Sequence, residues 1–276
     1  MPNTTKVELG KVQETLFFPL LARARETESR RPLLRDPKAV EVVSTVDFHL
    51  GTYRTPLRFL MVIRAMVLDW WIRQFLAEHP AGTVVELGTG LNTRFERTDN
   101  GSVHWIDLDL ADTIELRRRF FADTGRRRML AASLLDDDWL TEVEALPGPY
   151  FFVADGVLPY LTEDEVTGTL ARLAARFPGS KLAFDSYPQV ALEWEHKLAA
   201  KRDIAFWQWS CDDPRTLERF GLRLLESATS TRPHAGVVAG LPARYRFLLP
   251  LAHPILGRGV SLNLFETAPE APGQPG

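Results

Sequence analysis

An α/β fold built on a doubly wound, mostly parallel seven-stranded sheet is predicted for this 276-residue chain by three observations. A β-branched run, Val84-Val85-Glu86-Leu87, feeds directly into Gly88-Thr89-Gly90, the way a buried strand ends in a turn whose backbone must approach a ligand. From Thr83 onward, strand-length apolar runs alternate with segments of helical period. Those runs are apolar on both faces rather than on alternate residues, which is the pattern of strands covered on both sides by helices. At 45% hydrophobic and 25% charged residues, the composition supports one large core with an appended cap.

The cap is expected over residues 1–80. Its first segment, Thr15 to Ala24, is apolar and then basic, and Pro19 is expected to interrupt any long helix there. It packs on the body or acts as a lid; the residues allow both. Asp36-Pro37 supplies a helix N-cap and a proline at the first helical position, followed by the apolar face of Ala39, Val40 and Val43. Thr55-Pro56 opens a longer run from Leu57 to Leu76. Arg58, Arg64, Asp69 and Arg73 interrupt it, each expensive in hydrocarbon, so it reads as a buried soluble helix and not a membrane span. Arg64 needs an acidic partner: Asp69, a distant carboxylate, or the carboxylate of a ligand.

The core is expected over 81–267. Val103 to Ile106 reads as the second strand and ends at Asp107-Leu108-Asp109, where a carboxylate about twenty residues beyond the Gly turn is placed to accept ribose hydroxyls. A helix from Asp112 to Ala122 follows, with Arg117-Arg118-Arg119 expected to face water. Arg126-Arg127-Arg128 leads into a third strand, Met129 to Ala132, closed by Ser133-Leu134. Tyr150 to Ala154 is the fourth strand and ends at Asp155-Gly156. Thr162-Glu163-Asp164-Glu165 forms a capping box before Val166, Leu170, Leu173, Ala174 and Phe177 at helical spacing. Lys181 to Asp185 is the fifth strand. The insertion at about 186–212 then concentrates Tyr187, Trp194, Trp207 and Trp209, either as a clamp for a flat substrate or as core. Pro214 to Phe220 is expected to be helical, Leu222 to Ala228 and Val260 to Phe265 to be the last strands, and the Pro/Gly-rich tail at 268–276 to be disordered.

Which nucleoside the unit holds decides its chemistry. A dinucleotide site wants G-x-G-x-x-G, with a third glycine that lets helix and strand close over a pyrophosphate; that position holds Thr93. The form Glu86-Leu87-Gly88-x-Gly90, with an acid in the strand and no demand for phosphate, suits S-adenosylmethionine better. The stretches E-L-G-T-G-L-N-T-R (Glu86 to Arg94), W-I-D-L-D-L (Trp105 to Leu110) and D-G-V-L-P-Y-L (Asp155 to Leu161) resemble the leucine carboxyl methyltransferase family, within it the tetracenomycin-type branch of polyketide O-methyltransferases. The family runs L-G-x-G-L-D-T-R and then D-x-P; this chain carries Asn92 for the Asp and Ala111-Asp112 where proline is common. The resemblance spans about Thr15 to Phe265. It implies S-adenosylmethionine as cofactor, Arg64 facing its methionyl carboxylate, Gly88 leaving room for the methionyl chain, Gly90 in the cofactor-binding turn, and Asp109 before Asp107 on the ribose. It further implies Ser133 and Leu134 beside the adenine, Asp155 near the ammonium, and Glu86 within the motif. Tyr160, Tyr187, Trp194 and Trp207 are the candidates for contact with the methyl acceptor.

Other classes recede. A net charge of −3 and a pI near 6.1 leave no footprint for nucleic acid or an anionic membrane. The single Cys211 removes disulfide frameworks and multi-cysteine metal sites and fits a cytoplasmic setting. Nothing at the start of the sequence has the form of a signal peptide. The scattered histidines offer no metal pair, and there is no Gly-x-Ser-x-Gly elbow. Because a sulfonium methyl is already activated, the expected reaction needs alignment more than acid–base help. A carboxylate acceptor is ionised at neutral pH, whereas a phenol benefits from a base; no His–Asp signature supplies one, which favours a carboxyl acceptor on a small aromatic or polyketide-type molecule. The sequence assigns no catalytic residue and no oligomeric state. A nicotinamide-dependent oxidoreductase on the same unit, and a non-catalytic cofactor-binding protein, are the alternatives.

Overall fold

In the computed structural model, residues 16–46, 55–199, 207–256 and 260–269 are described. The cap consists of α1 (Phe17–Thr27), α2 (Pro37–Thr45) and α3 (Thr55–Glu78). The core continues as β1 (Thr83–Leu87), α4 (Arg94–Thr98), β2 (His104–Asp109), α5 (Ala111–Arg117), β3 (Arg127–Ala131), α6 (Asp138–Glu144) and β4 (Tyr150–Ala154). It closes with α7 (Glu163–Arg176), β5 (Lys181–Ser186), α8 (Gln189–Ala199), β6 (Leu222–Thr229), α9 (Ala235–Gly240), α10 (Ala243–Leu256) and β7 (Ser261–Thr267). Two 3-10 segments, Leu158–Tyr160 and Pro214–Phe220, join them.

The sheet order is β3-β2-β1-β4-β5-β7-β6, parallel except for β7, so the predicted seven-stranded doubly wound fold is the one observed. Strand order reverses between β1 and β4, and the crevice outside the carboxyl ends of those strands is where open α/β sheets bind ligands. Register brings the ends level: Leu87 lies opposite both Leu108 and Ala154, and Ala154 opposite Phe184. Gly88, Asp109, Asp155 and Asp185 therefore emerge along one edge. Two buried clusters, one on each face, clamp the sheet; Phe152, Phe184 and Trp139 belong to one, and Trp105, Phe151 and Trp71 of α3 to the other.

Local expectations fare unevenly. Asp36 caps α2 by accepting from Ala39 N at 2.9 Å, with Pro37 at the first helical position. Thr162 and Glu165 form the reciprocal capping box of α7. Pro19 does not cut the first segment short, because it sits in the first turn of α1, where its missing N–H would have had no helical acceptor. Arg117 is the main correction: it does not share the solvated face of Arg118 and Arg119 but is fully buried, as is Arg127 at the start of β3. Trp209 is core, packed at 6.3 Å from Phe184. The insertion is not irregular throughout, since it begins with α8; its residues 200–206, like 270–276 of the expected tail, lie outside the described residues. Among the described residues no helix is long and apolar enough to cross a membrane.

The capping box gives a first test of the fold. Thr162→Ala removes the acceptor of Glu165 N and is expected to lower unfolding free energy by ~1 kcal/mol. In urea titration the midpoint should fall with an unchanged slope, and an unshifted midpoint would show that α7 does not depend on its cap.

Candidate functional site

The turn after β1 is made by Gly88 and Gly90, with φ of 63° and 50°, a region side chains rarely adopt. A Cβ on Gly88 would meet Val157 Cγ2 at 2.4 Å, and one on Gly90 would meet Leu16 Cδ2 at 2.8 Å. The backbone is thus pinned between the segment after β4 and the first residue of the described cap. Asp109, at the end of β2, reaches back over this turn: its Oδ2 accepts from Gly90 N at 2.7 Å and its Oδ1 from Leu110 N at 2.8 Å. Burial raises its pKa.

Asp107 cannot serve the same purpose. It is fully buried and accepts from Thr89 Oγ1 (2.9 Å), Trp105 Nε1 (3.1 Å), an Arg117 guanidinium nitrogen (3.0 Å) and Arg127 Nε (2.6 Å), which hold its pKa down against desolvation. The earlier acid of the pair thus ties β2 to α5 and β3. Arg117 also donates to the carbonyls of Gly90 and Asn92, so the same guanidinium fixes the turn.

Glu86 likewise turns away from the crevice and is 1% exposed. It accepts from Arg94 and, at 2.8 Å, from Asn92 Nδ2. Arg94, fully buried, also binds Asp69 of α3 at 3.0 Å and Asp155 Oδ2 at 2.7 Å. Asn92 reaches Asp155 as well, at 3.4 Å. An aspartate at 92 would have put a third carboxylate between these two; the asparagine donates to both. Arg97 extends the cluster to Asp69 and Asp36, and Arg23 completes it on Asp36. Of these charged residues Glu86 and Asp155 were sequence candidates for the cofactor site, Asp36 for a helix cap and Asp69 for the partner of Arg64. The rest gave no signal beyond Arg94's place in the family motif.

Arg64 and Asp155 meet each other. Arg64 Nε lies 2.7 Å from Asp155 Oδ1, and a terminal guanidinium nitrogen lies 3.2 Å from Asp185 Oδ2 and 3.1 Å from the Tyr187 hydroxyl. Asp185 also accepts from Gly156 N and the Tyr187 hydroxyl. The partner of Arg64 is thus a pair of distant acids and not Asp69. The Arg64 contact on Asp155 Oδ1 lacks hydrogen-bond alignment, so that buried oxygen has no donor among the described residues. It sits at the carboxyl end of β4, across the switch point from Gly88, and is an acceptor looking for a donor.

Ser133 and Leu134 fall in the loop after β3, with Ser133 Oγ accepting from Leu135 N at 3.1 Å and Leu134 half-buried against the core. Tyr187 packs on Trp207 with ring centroids 4.0 Å apart, and the Tyr160 carbonyl accepts from Gln208 at 2.7 Å, so these three are gathered on one side of the crevice. Trp194 is not. It lies 65% exposed on α8, because α8 buries Leu192 instead. Among the described residues no group of acids, histidines and cysteine forms a metal site.

The family profile described as leucine carboxyl methyltransferase matches residues 17–174. The chain is 35% identical over 230 residues to the tetracenomycin polyketide synthesis O-methyltransferase TcmP of Streptomyces glaucescens, covering 80% of this chain and 83% of that protein. It is 32% identical to the S-adenosyl-L-methionine-dependent methyltransferase dpfgK of Gibberella zeae, covering 77% and 80%. Among solved structures, a putative methyltransferase from Thermobifida fusca superposes with a TM-score of 0.57 at 18% identity, over 90% of this chain and 94% of that one, a likeness of fold.

The buried charges give two tests. Arg94→Met strands three carboxylates and is expected to cost about 3–5 kcal/mol, read as a fall in urea midpoint; a loss under about 1 kcal/mol would mean that the cluster is solvated. Burial lifts the Glu86 carboxyl to about 7, with Arg94 opposing the shift. Between 4.5 and about 7 the folded chain therefore holds a proton that the unfolded chain has lost, and stability falls as pH rises through that window, by at most about 3 kcal/mol. Glu86→Gln should lack that decline; superimposable stability curves for the two proteins would remove Glu86 as its source.

Proposed function

Since the chain belongs to the leucine carboxyl methyltransferase family and is an S-adenosylmethionine-dependent methyltransferase, we propose that it methylates an oxygen, a carboxylate or phenolic hydroxyl, of a small aromatic or polyketide-type acceptor. The observation that carries the cofactor assignment to named residues is Asp155 Oδ1, a buried carboxylate oxygen at the end of β4 whose neighbour Arg64 Nε, at 2.7 Å, is not aligned to donate to it. An ammonium group has protons to give it. Gly88, beside it, lets the backbone of the turn pass close under Val157, and Asp109 at the end of β2 would accept the ribose hydroxyls alongside its present backbone donors. Ser133 and Leu134 would border the adenine. Arg64 is oriented by Asp155 and Asp185, so its role toward the methionyl carboxylate is that of a shared cation.

The cofactor supplies a methyl group already activated on a sulfonium. The protein aligns the acceptor and excludes water, and a carboxylate acceptor needs no proton removed. Asp155 and Asp185, the acids at the strand ends near Arg64, are both engaged by it, which disfavours either as a general base. Tyr160, Tyr187 and Trp207 line the side from which a flat acceptor would enter. The single cysteine, half-buried, supports a cytoplasmic setting.

The sharing of Arg64 revises one expectation. Arg64→Met would leave Asp155 and Asp185 facing each other without their common cation, so it should lower the melting temperature of the ligand-free protein and is a poor probe of cofactor contact. Asp109→Ala is the cleaner variant. Losing a charge-assisted hydrogen bond costs ~1.5–3 kcal/mol, so calorimetry should find S-adenosylmethionine binding weakened roughly tenfold to a hundredfold. Unchanged affinity would move the ribose elsewhere. Mass spectrometry of polycyclic hydroxy-acids incubated with the enzyme should show methyl esters or ethers, and binding of a nicotinamide dinucleotide in preference to S-adenosylmethionine would overturn the assignment.

A further inference from the structure

The carboxyl edge of the sheet has a second opening, apart from the crevice between β1 and β4. A cavity of about 420 Å³ is lined by Glu26, Arg30, Arg31, Arg58, Arg244 and Tyr245. Its walls come from three segments: the end of α1 with the link that follows it, the first turns of α3, and α10. Topology puts these near the strand ends. Leu60 of α3 accepts, through its carbonyl, a hydrogen bond from Ser230 just beyond the end of β6, and α10 lies between that end and the start of β7. Arg58 precedes Arg64 by six residues, a rise of ~9 Å along the helix.

The lining is unusual for a small-molecule pocket, which is ordinarily apolar with a few polar groups. Four guanidinium groups face one carboxylate, in a chain whose net charge is −3. That carboxylate is engaged: Glu26 is 7% exposed and its Oε1 accepts from Leu33 N at 2.8 Å. Among the described residues Arg30, Arg31 and Arg58 have no carboxylate within ion-pairing distance, whereas the arginines of the neighbouring crevice each hold one or more. Tyr245 closes one wall, its ring stacked on Phe59 at 5.2 Å and 19° and covered by the Arg244 guanidinium 4.8 Å from its centroid, which places Arg244 at the cavity. Arg30, Arg31 and Arg244 are exposed and Arg58 is half-buried, so the four cations stand around an open cavity in which one anion could accept from several of them.

We propose that this cavity binds a compact anionic group, a carboxylate or phosphate, held by its arginines. The group has two possible sources, a free inorganic anion or the acidic end of an aromatic ligand such as a carboxylated acceptor, and the test separates them. Wild-type protein is titrated by calorimetry with inorganic phosphate and, separately, with 2-naphthoate. Both should saturate below about 10 mM, with naphthoate the tighter if the ligand carries a ring and phosphate the tighter if the ion is free. In Arg58→Gln/Arg244→Gln both affinities should fall at least tenfold. Arg31→Gln, an exposed side chain whose loss leaves the fold intact, should weaken both several-fold and covers the case in which the double variant misfolds. Absence of saturation by either anion, or equal affinities in wild type and variants, would overturn the proposal. S-adenosylmethionine is titrated alongside: unchanged cofactor affinity in the variants keeps a failure here separate from a failure of the methyl-transfer reading.

Discussion

One buried guanidinium holds the site together. Arg94 has no solvent contact and binds carboxylates from three elements at once: Asp69 on α3, Glu86 in β1 and Asp155 at the end of β4. Taking these charges out of water costs several kcal/mol per ion, and their mutual attraction offsets that only because nearly every oxygen and nitrogen finds a partner. Such a cluster contributes little net stability. What it fixes is position, since α3, β1 and the end of β4 all meet at this one guanidinium. The edge of the crevice is placed by this constraint.

The same physics sorts the buried acids into two kinds. Asp36, Asp69, Asp107 and Asp155 all lie against arginines, which hold their carboxyls below the usual range despite desolvation. Burial pushes Asp109, Asp185 and Glu86 up: at Asp109 it is opposed chiefly by hydrogen bonds from its neighbours, at Asp185 by Arg64 while the carboxylate of Asp155 adds to it, and at Glu86 it outweighs Arg94. An acid in the first group is a structural anion. Asp109 is different in kind: its present donors are backbone N–H groups of the turn, and further donors such as ribose hydroxyls would stabilise its charge.

All seven strands and the carboxyl edge were readable from the sequence, because long apolar runs, glycine turns and capping boxes act through neighbouring residues. The buried charges were not. Arg117 sits beside Arg118 and Arg119 in a run that looks solvated, yet its position one turn after Thr113 and Ile114 turns it inward onto Asp107. Nothing local separates it from its neighbours; the difference is made by β2, ten residues away in sequence. Asp107 and Asp109 were distinguishable in principle: two residues apart they line one face of β2, and what separates them is that the later acid lies at the strand's end. Trp194 and Trp209 illustrate the reverse problem: both are tryptophans in one aromatic stretch, but one is exposed and one is core, which composition cannot tell apart.

These ion pairs also bear on whether the N-terminal segment moves. A cap that opened as a rigid body would separate Asp36 from Thr93 and Arg97, residues that follow the Gly turn directly, and leave buried charges without partners. Arg23 on α1 is tied to the same aspartate at 2.8 Å. Anchoring therefore runs from the middle of α1 to the start of α2, and the cost of breaking it exceeds what closure over a small ligand would return. Leu16 is outside that anchored stretch. A Cβ at Gly90 would meet it at 2.8 Å, and the next residue, Phe17, is buried in the same apolar cluster as Leu91, so burial rather than charge holds the first turn of α1 against the Gly turn.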